Sequence, residues 1–121
     1  SEGRVRGASH LELLRRLHLA DIAESAAALA ELRRRGFRPE MITLGERLTD
    51  PDREIRLAAI EHLRENRRLD PIPWLMVAAK DQDPQVRRAA LVALAGAEDP
   101  FQARWAQRRL EEMGESTIER R

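Results

Sequence analysis

Apolar residues recur along this chain at helical spacing, and the apolar stripes themselves recur at one constant period. Ala28, Leu29 and Leu32 form one i, i+1, i+4 set. Ala59, Ile60 and Leu63 form a second, and Ala90, Leu91 and Leu94 a third. Each set lines one face of a helix. A second series runs ahead of the first. Leu13, Leu44 and Leu75 coincide at the same period, as do Leu17, Leu48, Ala79 and Leu110, and Trp74 falls on Trp105. Two interleaved series, each copied three or four times, predict a tandem array of helix pairs. Each pair has a stripe that is buried only when neighbouring pairs stack.

The punctuation agrees with the period. Ser9-His10-Leu11-Glu12 has the form of a capping box. Asp50-Pro51, Asp70-Pro71, Asp83-Pro84 and Asp99-Pro100 each offer an N-cap acceptor before a proline at the first helical position. Gly36, Asn66 and Gly96 each follow a helical run and are expected to close it in the left-handed conformation. The predicted helices span 9–19, 21–35, 40–48, 51–65, 71–80, 84–95 and 100–113. The fold class is therefore all-α: a solenoid of about three helix pairs plus a terminal helix. It occupies a single domain over 1–121, with repeats near 9–36, 39–66 and 70–97, a partial one at 99–113, and flexible tails at 1–8 and 114–121.

Composition supports the same class. Charged residues make up 36% of the chain and aromatics 3%. The first figure calls for much exposed surface, and the second disfavours an aromatic-rich sheet fold. A net charge of +1 argues against a polyelectrolyte partner for the molecule as a whole, but leaves local patches open. No cysteine is present, which removes disulfides, thiolate metal sites and a cysteine nucleophile, and fits a cytoplasmic setting. No apolar run approaches a membrane span, and no signal peptide is read. The abrupt start at Ser1-Glu2-Gly3 suggests a domain excised from a longer parent.

Catalytic and metal chemistry finds little support. His10 and His18 are eight residues apart, which is not the spacing of a two-histidine metal site, and His62 lies in another repeat. Asp50, Asp70, Asp83 and Asp99 have capping roles, and Asp52 and Glu54 suit a first helical turn. No Gly-rich phosphate loop or nucleophile elbow occurs. The expectation is a non-enzyme without metal or cofactor. The arginines stand out instead. Arg33-Arg34-Arg35 with Arg38 end the first helix pair and Arg64 with Arg67-Arg68 end the second, with Arg33 falling on Arg64 in register. They are read first as helix C-terminal cations on a solvated edge, and otherwise as a strip for anions or nucleic acid.

Asp50 with Ile55-Arg56, and Asp81 with Val86-Arg87, resemble the Asp…Val-Arg signature of HEAT repeats. The phrases 51–56 and 83–90 are similar to bacterial HEAT-like repeats of the phycobilisome-lyase type. Pro73 resembles the proline that kinks the first HEAT helix. The first repeat departs, with Leu19 and Ser25 where Asp and Arg are expected, and reads as a degenerate capping repeat or one with a different role. The resemblance implies a right-handed solenoid and a hydrogen-bonded ladder formed by Asp50, Arg56, Asp81 and Arg87. It implies no catalytic residues. It also implies that second helices line a concave face, with Glu31, His62 and Ala93 in one row, Ala27, Ala58 and Ala89 in another, and Arg88, Glu61 and Glu54 nearby to give it mixed charge. That face would suit a peptide or a helix of a protein partner, or the remainder of a parent chain. The candidate partner-binding residues are Glu31, His62, Arg88, Arg33, Arg34, Arg64, Arg68 and Trp105. The alternative is nucleic-acid backbone binding through the arginine edge.

Overall fold

The computed structural model describes residues 5–66 and 68–119. The described elements are α1 (His10–Arg16), α2 (Ile22–Arg34), α3 (Pro39–Leu48), α4 (Arg53–Glu65), α5 (Ile72–Ala78), α6 (Pro84–Ala95) and α7 (Pro100–Glu119), with no strand among the described residues. The fold is all-α and of the solenoid class. The second helices start at Ile22, Arg53 and Pro84, which are evenly spaced along the chain. The repeat in the sequence is thus a repeat in helix boundaries. The chain divides within α4 into two compact units, Ser1–Ala59 and Ile60–Arg121.

In the first unit α1 packs against both α2 and α3. Leu13, Leu14, Ala28, Leu32, Ile42, Leu44 and Leu48 are buried there. Gly45 sits inside α3 against Leu14, where a Cβ would lie 2.5 Å from Leu14 Cδ2. A glycine costs a helix interior about 1 kcal/mol relative to alanine. Here it lets Leu14 fill the space that a side chain would need. The end of α2 is closed as predicted. Gly36 takes φ 94°, its amide donates to the Arg33 carbonyl, and the Phe37 amide donates to the Leu32 carbonyl, each at 3.0 Å. This is the paired bonding of a left-handed helix stop.

In the second unit α6 packs against α5 and α7. Ile60, Leu63, Leu75, Val86, Ala90, Leu91, Leu94 and Ala106 form its core. Asp83 caps α6 by accepting the Gln85 amide, with Pro84 in the first turn.

Several boundaries differ from the sequence expectation. The fourth helix starts at Arg53 and not at 51. The Asp50 carboxylate accepts the Asp52 amide at 2.8 Å, and it is Asp52 that meets the first turn, accepting from Glu54 at 2.9 Å. The period settles this: Asp52, not Asp50, stands one full repeat before Asp83. Neither Asn66 nor Gly96 takes positive φ. The α6 end tightens instead, with the Ala97 amide donating to the Leu94 carbonyl. Pro73 sits in the first turn of α5, where its missing amide costs nothing, so it starts that helix and does not kink it.

The tails differ too. Residues 1–4 and 120–121 lie outside the described residues. Val5 and Ala8, expected in a flexible tail, are buried. The last helix runs to Glu119, since a single glycine at 114 does not end a helix and no proline follows.

Candidate partner-binding surfaces

The two signature turns have the same construction. In one, the Arg56 Nη1 group donates to the carbonyls of Asp50 at 2.7 Å and Pro51 at 3.1 Å. In the other, Arg87 Nη1 donates to the carbonyls of Asp81 at 2.8 Å and Gln82 at 3.1 Å. The Asp50 and Asp81 carboxylates accept the amides of Asp52 and Asp83. Each aspartate therefore folds the turn, and the arginine six residues on grips the turn's main chain. Arg56 is 5% exposed, so a fixed cation is buried against groups that would otherwise need water.

The first repeat has a different polar centre. Glu31, expected on an open face, is 5% exposed. Its Oε1 accepts from Arg34 Nε at 2.8 Å, and its Oε2 accepts from Arg34 Nη2 at 2.6 Å and Arg35 Nε at 2.7 Å. Two guanidiniums hold this carboxyl well below its usual 4.5, at about 2, with the Arg34 hydrogen bonds the largest cause and those of Arg35 next. The same pairing raises Arg34. Glu31 is thus committed inside the protein, because its position on α2 points it inward beside Leu32 and away from solvent.

The arginine run resolves by helix geometry. Positions three and four residues on from Glu31 share its face, so Arg34 and Arg35 turn toward it and Arg33 does not. Arg33 is exposed, Arg34 reaches back to Glu31, and Arg35 is half-buried. In the second run Arg64 is exposed and lies 3.3 Å from Glu61. Arg68 is exposed, and Arg67 lies outside the described residues. Arg34 and Arg64 each have a carboxylate partner already, which weakens a strip reading.

His62 and Arg88 are exposed on α4 and α6, while Ala89 and Ala93 are half-buried. Val92, beside them in sequence, is exposed. Trp105 is half-buried, with the Arg109 guanidinium carbon 5.9 Å from its ring centre. Phe101, one turn earlier on α7, is 73% exposed.

Other contacts had weaker signals in the sequence. His18 Nε2 lies 2.8 Å from the Glu46 carbonyl and 3.1 Å from Thr49 Oγ1, tying the end of α1 to the end of α3. His18 and Thr49 stand one period apart, so register could have paired them. The His10 ring meets Phe37 edge-on at 4.9 Å. Ile22, at 82% exposure, occupies the register position of Arg53 and Pro84. Among the described residues, no helix is long and apolar enough to cross a membrane.

A protein-family model described as HEAT repeats matches residues 41–114. No curated protein and no solved structure matches the chain.

Proposed function

Because the chain belongs to the HEAT-repeat family, whose repeats are commonly protein-interaction scaffolds, we propose that it is a non-catalytic scaffold binding a helix or peptide of a protein partner. The observation that carries this reading is the repeat itself. Two turns of the same construction, one period apart, fix successive helix pairs, and the chain's distinctive polar groups are used in fixing them. What remains for a partner is side-chain surface. The region we assign lies on the second unit: exposed His62, Arg88 and Val92, floored by Ala89 and Ala93. Small floor residues admit a close-lying helix, and the His62 and Arg88 side chains give it orientation. Glu31 leaves the site, since it serves the first repeat's interior. A cytoplasmic setting goes with this reading.

Peptides selected from a helical display library against the whole chain test it. The reading expects binders that lose about ten-fold or more in affinity on Arg88→Glu combined with His62→Glu. Binders indifferent to that pair contradict the assigned region. A labelled oligonucleotide at low ionic strength tests the arginine edge, because counterion release favours such binding most there. No binding is expected. Binding that weakens steeply with salt would replace the scaffold reading.

A further inference from the structure

We propose that Glu31 and Arg35 form a latch that holds the segment Val5–Ala8 closed against the first unit, and that this segment opens as a unit of its own when the latch is cut. The segment precedes α1. Its described turn is closed by the Ala8 amide donating to the Val5 carbonyl at 3.2 Å. Val5 and Ala8 are buried, while Arg6 and Gly7 are exposed. Two small apolar side chains are a weak hold against the entropy of ordering this stretch. The stronger hold is Arg35, whose Nη2 donates to the carbonyls of both Val5 and Arg6 at 3.0 Å.

Arg35 can do this because its other end is fixed. Its Nε donates to Glu31 Oε2 at 2.7 Å. The guanidinium is a rigid plane. A carboxylate anchored on Nε fixes the plane and so holds the neighbouring Nη2 against the segment. Arg34 completes the charge around Glu31 but has no described bond to the segment. The arrangement is confined to the first repeat. In register, Glu31 falls on His62 and Ala93, and Arg35 falls on Asn66 and Ala97. None of those four has an acidic or guanidinium group. The first repeat, which lacks the signature Asp and Arg at positions 19 and 25, has this latch in place of them. Closed, the latch keeps Val5 and Ala8 buried. Open, it uncovers them.

Amide hydrogen exchange on the whole chain tests the latch. Arg35→Gln is expected to speed exchange at Ala8 by about ten-fold or more, while amides of Ile60–Leu63 and Ala90–Leu94 keep their wild-type rates. Arg35→Lys keeps the charge without the planar fork, and should speed Ala8 in the same sense if Arg35→Gln does not fold. Arg34→Gln should leave Ala8 near its wild-type rate. Unchanged exchange at Ala8 in both Arg35 variants overturns the proposal. So does acceleration spread evenly over α1 and α2, because the segment would then have no separate opening. Equal acceleration in Arg34→Gln also overturns it, by making general charge loss the cause.

Discussion

Arg87 donates its Nη1 hydrogen to the main-chain carbonyl of Asp81 across 2.8 Å, and Arg56 repeats the contact with Asp50 at 2.7 Å. A side chain on the second helix thus fixes the turn that leads into it. Hydrogen bonds to a charged group contribute about 1.5–3 kcal/mol each, and the carbonyls left behind would need new partners. Arg56→Met should therefore lower unfolding stability by about 2–3 kcal/mol. Arg87→Met should cost less, because Arg87 is half-buried and water can replace it. Urea titrations of both variants check the order. A larger loss at Arg87 would contradict the burial argument.

Glu31 sets an acid-side prediction. Its carboxyl is depressed from 4.5 to about 2 by Arg34 and Arg35, the two cations that face it. A depressed carboxyl contributes stability that is fully present above pH 4.5 and is lost as pH falls toward 2. The gap in melting temperature between the wild type and Glu31→Gln should be widest above pH 4.5. It should narrow steadily below. Melting curves across that range measure it, and a gap independent of pH would show that the carboxylate's charge does not stabilise the fold.

Gly45 and Leu14 should behave as a coupled pair. Overpacking a core costs about 1–3 kcal/mol. A Cβ at Gly45 would stand within 3.1 Å of three Leu14 side-chain atoms. Gly45→Val should destabilise by about that amount. Leu14→Ala opens the same space, so the double variant should be less unstable than the two single losses combined. Strict additivity in a double-mutant cycle would show that the two side chains do not compete.

The register also predicts where truncation hurts. Leu94 is fully buried and Val92 is exposed, two positions apart on α6. Leu94→Ala should cost about 2–5 kcal/mol. Val92→Ala should stay within about 0.5 kcal/mol, as surface changes do. Comparable losses at both would mean that Val92 packs against something in solution.

Period proved more legible than local chemistry. The stripes of Ala59-Ile60-Leu63 and Ala90-Leu91-Leu94 are buried as read, because a repeated apolar stripe has few ways to leave water. Local phrases misled where they were read without register. Asp50-Pro51 looks like Asp83-Pro84, yet the cap of α4 is Asp52, as the period requires. The run Arg33-Arg34-Arg35 looks like a strip, yet Arg34 and Arg35 both turn to Glu31 and only Arg33 is left without that partner. Glu31 had no signal of burial. An isolated carboxylate in an alanine-rich helix becomes an interior group only through two arginines three and four residues on, a spacing open to either a surface or a buried pair. Of the region we propose for a partner, His62 stands in one register row with Glu31 and Ala93, and Arg88 enters as a neighbour of that row. Val92 was not singled out, since an exposed valine on a helix has no distinctive spacing.

The scaffold reading rests on where a partner sits. Backbone amide shifts of the whole chain, titrated with a selected helical peptide, locate it directly. A partner helix on the proposed region shifts His62, Arg88, Ala89, Val92 and Ala93 most. Shifts concentrated on α7 around Phe101 and Trp105, or along Arg33, Arg64 and Arg68, would contradict that placement.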